Sequence, residues 1–199
     1  MNPLRRRWLR WRHRHNPWRE LLAPYRGGEL VSLDLETTGL DPRTDEILSI
    51  AAVPIRAGVV RLSERFACLV QPGRDFDIAS IRHHRLRPAD VATGLAPPEA
   101  VAALLQWLGN RPLLGYHIGF DCAMLNRHAV AITGFVLPNV RLDLLRVYER
   151  RLRRARPTGD LDLRFSTLLH DLGIPALASH TALGDATSAA LAWLALQRH

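Results

Sequence analysis

The sequence contains no lysine, only two cysteines and no long hydrophobic run. All 27 basic residues are arginine, a bias that we interpret first as a property of the source genome. Cys68 and Cys122 lie far apart and form no C-x-x-C pair, which indicates neither a zinc knuckle nor a disulfide framework. The longest apolar runs, such as AALAWLAL near the C-terminus, are much shorter than the roughly 18 residues that cross a bilayer.

These absences narrow the class of protein. The charged N-terminus is followed by no apolar segment with a small-residue cleavage site, as a secretory signal would require. We therefore expect a cytoplasmic protein with no membrane span. A chain of 199 residues, 47% of them hydrophobic, is long enough for one substantial domain with a short appendage.

Positive charge is concentrated at the N-terminus. Seven arginines and no acidic residue lie in residues 1–19, which leaves 20 arginines against 19 acidic residues in the rest of the chain. The rest of the chain is therefore almost neutral. We interpret residues 1–28 as an Arg/Trp-rich N-terminal extension and residues 29–199 as the folded domain.

The extension has helical spacing, and its role stays open. Five of its residues recur every three or four positions and would form one helical stripe: Trp8, Trp11, His15, Trp18 and Leu22. Pro17 interrupts that stripe, although Asn16 could cap a new helix that begins at Pro17. The extension is an anion-binding arm for nucleic acid or a membrane surface, a helix docked on the body or a partner, or a mostly disordered tail.

The body begins with strands and continues with alternating helices and short strands. From Leu30, three β-rich runs joined by short connections predict an antiparallel meander. Further strands are expected over 113–116 and 140–143. Helices are expected over 97–108, 120–130, 165–172 and 184–197, with an Arg-rich helix from about 146. This order predicts an α/β domain with a central mixed sheet of five strands, three in the meander and two parallel, flanked by helices.

The stretch LVSLDLETTGLD carries Asp34 and Glu36 inside an apolar strand. Alternate residues of a strand share a face, so the two carboxylates point the same way. Like charges repel at this spacing, and burial of an unpaired charge is costly. A hard divalent cation would remove that cost. The alternative is that the pair caps the next turn or binds arginine, so the decision depends on further carboxylates.

Two more acidic residues stand where helices are predicted to begin. Asp121 follows the glycine-broken strand in LLGYHIGFDCAML. Asp185 opens the last predicted helix, five residues after His180. Each residue alone is explained as an ordinary cap or loop residue, and only the combination indicates a shared site.

In their order and spacing, D-x-E-T-T-G, G-x-x-x-G-F-D and H-x-x-x-x-D closely resemble the motifs of the DEDD-type 3′-5′ exonucleases of the His subgroup. These enzymes are the relatives of the replicative polymerase proofreading subunit, of ribonuclease T and of oligoribonuclease. The resemblance extends from about residue 30 to residue 196. It implies a ribonuclease-H-like fold and two divalent cations, Mg²⁺ or Mn²⁺.

The resemblance also implies a role for each residue of the site. Asp34, Glu36 and Asp185 resemble the direct metal ligands. Asp121 resembles the fourth acid, which holds the second ion largely through water, and His180 resembles the general base. Seven residues are expected to contact the substrate: Leu35, Thr37, Thr38, Gly39, Leu40, His117 and Phe120. Relatives often have His-Asn where this chain has Tyr116-His117, a difference that bears on substrate preference.

The sequence therefore predicts a metal-dependent 3′-5′ exonuclease that releases nucleoside 5′-monophosphates from 3′ ends of single-stranded DNA by two-metal-ion hydrolysis. The first alternative is an exoribonuclease or oligoribonuclease of the same family, because the sequence does not reveal whether a 2′-hydroxyl is required. The second is a non-catalytic nucleic-acid-binding or assembly module that acts through the basic extension. A polymerase or another protein partner is also expected from the resemblance.

Overall fold

The computed structural model describes residues 1–74, 76, 85–175, 177 and 180–198. Its strands are β1 (Glu29–Thr37), β2 (Ile47–Arg56), β3 (Val59–Val60), β4 (Phe66–Leu69), β5 (Leu113–Gly115) and β6 (Arg141–Asp143). Its α-helices are α1 (Pro3–Arg12), α2 (Pro88–Val91), α3 (Pro97–Leu108), α4 (Ile118–Thr133), α5 (Leu144–Ala155), α6 (Phe165–Asp171) and α7 (Ala182–Gln197). Short 3-10 helices occupy Arg19–Leu22 and Leu62–Glu64.

The strands form one mixed sheet in the order β3-β2-β1-β5-β6, with β4 also paired to β2. β1 and β2 are antiparallel, whereas β5 runs parallel to β1 and β6 runs parallel to β5. This arrangement confirms the predicted mixed sheet flanked by helices. Five strands lie along the path β3-β2-β1-β5-β6, and β4 is a sixth beside it, because the third β-rich run is divided into β3 and β4, which both pair with β2. Its polar segment 63–65 has no apolar side chain to pack on the core, and the chain leaves the sheet there.

β1 lies in the middle of the molecule and is covered on both faces. Val31, Leu33 and Leu35 belong to the core cluster that contains the buried leucines of α3 and α4. Leu30, on the opposite face, packs in the cluster that contains the alanines of α7. Because side chains alternate along a strand, Asp34 and Glu36 share the face of Leu30 and are directed toward α7.

The predicted helices are found, most of them with shifted ends. The helix expected over 97–108 has those bounds, whereas the helix expected over 120–130 extends to Ile118–Thr133 and the last helix begins at Ala182. The short helix α2 was not predicted. Both cysteines are free thiols. Among the helices that the structure describes, none combines the length and the apolar character of a membrane span.

The N-terminal extension packs against the body. Leu21 and Leu22 are buried, and Leu9 and Trp18 pack against the same core cluster as α3 and α4. These contacts favour the docked-helix interpretation. The boundary of the domain at residue 28 stays a prediction.

The helical spacing along the extension is interrupted before Trp18, as the position of Pro17 predicts. α1 ends at Arg12, and the chain turns at Pro17 before Trp18 reaches the core. Trp8 and Trp11 remain 51% and 66% exposed. Asn16 does cap the next turn, because its side-chain oxygen accepts a hydrogen bond from the Trp18 amide at 2.8 Å.

Candidate active site

Three carboxylates meet on the side of β1 that faces α7. Asp34 and Glu36 project from β1, and Asp185 lies in the first turn of α7. One carboxylate oxygen from each residue lies within 4.8 Å of the other two. Thr181 caps α7 by accepting a hydrogen bond from the Gly184 amide at 3.1 Å, which orders the turn that carries Asp185.

Small residues allow α7 to lie close to the sheet. The buried residues of this helix include Ala182, Gly184, Ala186, Ala189, Ala190 and Ala192. A helix with larger side chains at these positions would be held further from β1. The run of alanine in the sequence is therefore what brings Asp185 to the two acids of the strand.

Asp121 approaches the same acids from α4. β5 pairs with β1 only at Val31 and Ser32, so the amide of Leu35 has no partner in β5. That amide donates instead to Asp121 Oδ1 at 3.1 Å. Asp121 is 4% exposed, and its position beside β1 depends on this bond and on the start of α4.

Burial and mutual repulsion raise the pKa values of the acids. Burial, followed by the charges of the neighbouring carboxylates, raises the pKa of Asp34 well above its ordinary value. Burial, then Asp185 and Asp121, raises the pKa of Glu36 to about 7. Burial likewise raises the pKa of Asp121 to about 7, although the hydrogen bond from the Leu35 amide acts in the opposite direction. The site therefore concentrates negative charge that is expensive to keep in the folded chain.

The donor set fits a divalent cation. All the donors are hard carboxylate oxygens, which Mg²⁺ and Mn²⁺ prefer. In the described ranges, no arginine forms an ion pair with Asp34, Glu36, Asp121 or Asp185. A bound cation would therefore supply the compensating charge that the chain does not.

His180 lies directly before α7. Its backbone amide donates to Asp185 Oδ2 at 3.3 Å, and its side chain is exposed. Its φ of 66° is left-handed, a conformation that costs a residue with a Cβ atom on the order of 1 kcal/mol. Burial raises the pKa of Asp185, and the amide and charge of His180 oppose that shift. His180 thus stands at the rim of the acidic site.

The loop after β1 is folded around Asp45. The register of β1 and β2 shifts between Glu36 and Thr37, where the strand ends. Asp45 then accepts hydrogen bonds from the Thr38 hydroxyl at 3.3 Å and from the Asp41 amide at 2.7 Å. Asp45 was not predicted as part of the site, although D-P-R-T-D is a composition typical of turns.

Glycine at position 39 leaves room for Asp45, and the next residue presents a leucine to solvent. A Cβ atom on Gly39 would lie 2.5 Å from a carboxylate oxygen of Asp45, so a larger residue would displace the Asp45 side chain that holds the loop. The Thr37 hydroxyl donates to the Gly39 carbonyl at 2.7 Å. Leu40 is 85% exposed. The segment 37–40 is thus an ordered loop at the edge of the acidic site.

The other predicted substrate contacts lie at different depths. Leu35 has its side chain in the core, 7% exposed, so only its backbone faces Asp121. Phe120 is half-buried against the same core. His117 is exposed at the start of α4 with a φ of 58°, and its amide donates to Asp143 Oδ1 at 3.2 Å. Asp143, which also caps α5, was not identified from the sequence, although an acid before an apolar helical run is a recognisable capping signal.

A cavity of about 340 Å³ opens beside Glu36. Its walls come from β2, β4 and the start of α7 and are mostly apolar, with Ile50, Ala51, Cys68, Leu69, Ala182 and Leu183 among the lining residues. This is an apolar space of the size that small organic ligands occupy. Of the four acids, Glu36 lines this cavity.

The sequence matches a known exonuclease family. The profile of the exonuclease family, RNase T, matches residues 31–192. The chain is 37% identical over 169 residues to a DNA polymerase III subunit epsilon-like protein of Rhodobacter capsulatus, covering 83% of this chain and 23% of that protein. It is 29% identical over 126 residues to an oligoribonuclease of Sodalis glossinidius, covering 56% of this chain and 69% of that protein. The chain thus spans less than a quarter of the length of the first relative.

The fold is also shared with a solved nuclease. The crystal structure of E. coli exonuclease I in complex with a dA16 oligonucleotide superposes with a TM-score of 0.70 at 18% identity, covering 87% of this chain and 41% of that one. At this identity the likeness concerns the fold. Since the family profile covers most of the chain and ends within α7, after the last acid of the site, this chain belongs to the exonuclease family.

Proposed function

We propose that this chain is a metal-dependent 3′-5′ exonuclease that releases nucleoside 5′-monophosphates from the 3′ ends of single-stranded DNA. The observation that carries the proposal is the meeting of Asp34, Glu36 and Asp185, whose oxygens lie within 4.8 Å of one another although β1 and α7 are distant in the sequence. Membership of the exonuclease family supports the same chemistry.

The acids hold a pair of divalent cations, Mg²⁺ or Mn²⁺. Asp34, Glu36 and Asp185 are the direct ligands, and Asp121 completes the acidic set. When bound, such ions neutralise the phosphoryl oxygens, lower the pKa of the attacking water and stabilise the leaving 3′-oxygen. The chain contributes by fixing the acids in place, through β1, through the first turn of α7 and through the Leu35 amide that holds Asp121.

His180 acts as the general base. A neutral imidazole nitrogen can accept the proton of the attacking water. Its amide contact with Asp185 keeps it next to the acids, and its side chain is exposed to solvent and substrate. The terminal nucleotide is received by the loop 37–40, where Leu40 packs against a base, and by the apolar cavity beside Glu36.

Single-stranded DNA is the proposed substrate. The relative from Rhodobacter capsulatus is named for the epsilon subunit of DNA polymerase III, and the structure of exonuclease I contains a dA16 oligonucleotide. Similarity to an oligoribonuclease makes RNA ends the second candidate. A polymerase partner, suggested by the name of the same relative, and a cytoplasmic location belong to the same proposal.

The test is a time course on 5′-labelled single-stranded DNA and RNA of one sequence, with Mn²⁺, with Mg²⁺ and with chelator. A ladder that shortens from the 3′ end, and that chelator and Asp34→Asn abolish, is the expected result. The faster ladder identifies the polymer. If neither strand is shortened while both are bound tightly, the chain is a binding module and the proposal is wrong.

A further inference from the structure

α1 presents an apolar stripe to solvent. Leu4, Trp8 and Trp11 are 76%, 51% and 66% exposed, and their spacing of four and three residues puts them on one face of the helix. The opposite face is docked, because Leu9 packs against the core and the Arg6 guanidinium donates to the Pro138 carbonyl at 3.1 Å. The body therefore leaves both tryptophans uncovered.

Arginines flank this stripe. Arg5, Arg7, Arg12 and Arg14 are all exposed, and in the part of the chain that the structure describes none of them forms an ion pair. The Arg12 guanidinium lies 5.4 Å from the centroid of the Trp8 ring, and that of Arg14 lies 5.8 Å from the Trp11 ring. We call the surface formed by Trp8, Trp11 and these four arginines the Arg/Trp face. It combines positive charge with flat aromatic surfaces.

The Arg/Trp face is held in a fixed place. The His13 ring packs edge-on against Phe135 with centroids 5.1 Å apart, and the Asn16 amide donates to the Thr133 carbonyl at 2.7 Å. The surface therefore sits at the C-terminal end of α4, the helix whose first turn carries Asp121. Thr133 is twelve positions after Asp121 in this helix, which corresponds to about 18 Å along the helix axis.

We propose that the Arg/Trp face binds the upstream part of the single strand whose 3′ end enters the acidic site. Bases stack on Trp8 and Trp11, and the flanking arginines contact phosphates, the combination that single-stranded nucleic acid requires. At about 3.4 Å per stacked nucleotide, the 18 Å along α4 corresponds to about five nucleotides. A trinucleotide, about 10 Å long at this spacing, is therefore too short to contact both Asp121 and the C-terminal end of α4, whereas a 20-mer is long enough to contact both.

The composition of the face favours nucleic acid over a lipid surface. A helix at a membrane surface also combines arginine with tryptophan and leucine, but its binding strength grows with the apolar area that it buries. Here that area is small, because the stripe has one aliphatic side chain beside two tryptophans that lie against guanidinium groups. Residues 1–19 contain no acid that would repel phosphate. The identification of the bound strand as the substrate rests on the proposed function, but the binding itself does not.

The experiment measures binding of the full chain to a fluorescent single-stranded 20-mer and to a trinucleotide, in chelator so that no cleavage occurs. Trp8→Ala combined with Trp11→Ala is expected to weaken 20-mer binding at least about tenfold and to change trinucleotide binding less than twofold. The slope of log affinity against log salt concentration is negative. Replacing the four arginines by glutamine is expected to reduce its magnitude by about 2 to 3. Leu4→Ala, on the same stripe but unable to stack, is the matched control and is expected to change 20-mer binding less than twofold.

Two results would overturn the inference. One is unchanged 20-mer binding by the double tryptophan variant. The other is an equal loss with Leu4→Ala, accompanied by binding to anionic phosphatidylserine vesicles, which would make α1 a lipid-binding helix. Both of these are binding results. Failure of the proposed function would be a different result, namely no cleavage by the wild-type chain with Mn²⁺.

Discussion

At the scale of single residues, the site depends on carboxylates. Burying each one alone costs free energy, but together they offer the oxygen ligands that a divalent cation prefers. Asp34 and Glu36 would repel each other on any strand, and their burial makes that repulsion stronger. Asp121 is held by one backbone amide that the sheet leaves unpaired. His180 adds an imidazole at the rim of the site. We therefore expect loss of His180 to affect activity, and loss of an acid to affect both activity and metal binding.

Removing His180 should separate chemistry from metal binding. We expect His180→Ala to lower kcat by about 10²- to 10⁴-fold, the usual contribution of a general base, while Mn²⁺ still raises the melting temperature. Asp34→Asn should lose both the activity and the stabilisation by Mn²⁺. The measurements are single-turnover cleavage and thermal unfolding with and without the ion. His170→Ala, at a histidine that is 90% exposed on α6, is the control and should leave both unchanged; full activity of His180→Ala would refute the role.

Glu36 and Asp121 also determine how the stability of the metal-free folded chain depends on pH. The pKa values of Glu36 and Asp121 are raised to about 7, above those of the unfolded chain, so the folded state binds more protons than the unfolded state between about pH 4.5 and 7. This contribution is present at low pH and is lost as the pH rises through 7. In chelator, the melting temperature should therefore fall between pH 5.5 and 8. The fall should be smaller with Glu36→Gln, and a curve that rises over this interval would contradict the argument.

At the scale of elements, the position of α7 decides whether the three carboxylates meet. Ala189, one turn after Asp185, is 2% exposed and packs in the cluster beneath the helix. The sheet can approach because the side chains between them are single methyl groups. The geometry of the site is therefore a property of the α7 surface as much as of the acids.

Enlarging that surface should damage the site without touching an acid. Ala189→Leu is expected to cost about 1–3 kcal/mol of stability, the range for overpacking a core, and to lower kcat by moving Asp185. The half-buried Ala195, two turns further along α7, offers the matched Ala→Leu control, which should be tolerated. Urea unfolding and cleavage rates measure the two effects. Unchanged activity at a clearly lowered stability would show that the acids do not depend on the spacing of α7.

At the scale of the whole molecule, the N-terminal extension is part of the packed structure. Leu22 is fully buried and Leu21 is 6% exposed, in the core cluster that also holds the face of β1 opposite the acids. Deleting residues 1–28 would therefore uncover apolar surface as well as remove the arginines. Substitutions on the exposed face of α1 test nucleic-acid binding without that cost.

The two faces of the extension should differ sharply in stability. Leu22→Ala is expected to lower the free energy of unfolding by about 2–5 kcal/mol, because it leaves a cavity in the core. Leu4→Ala, at a leucine that is 76% exposed, should change it by less than about 0.5 kcal/mol. Urea denaturation of both variants measures the difference. Equal and small effects would mean that the extension does not pack on the body in solution.

The sequence by itself determined the order of strands and helices, the family motifs and the shared face of Asp34 and Glu36, because all of these follow from local periodicity and spacing. Only the tertiary structure decided which distant residues meet. Asp121 reaches an amide 86 residues away because β5 stops pairing early, and Asp185 reaches β1 because α7 is lined with alanine. The tertiary structure also decided that Trp18 enters the core while Trp8 and Trp11 face solvent, since periodicity does not say which face of a helix the body will cover.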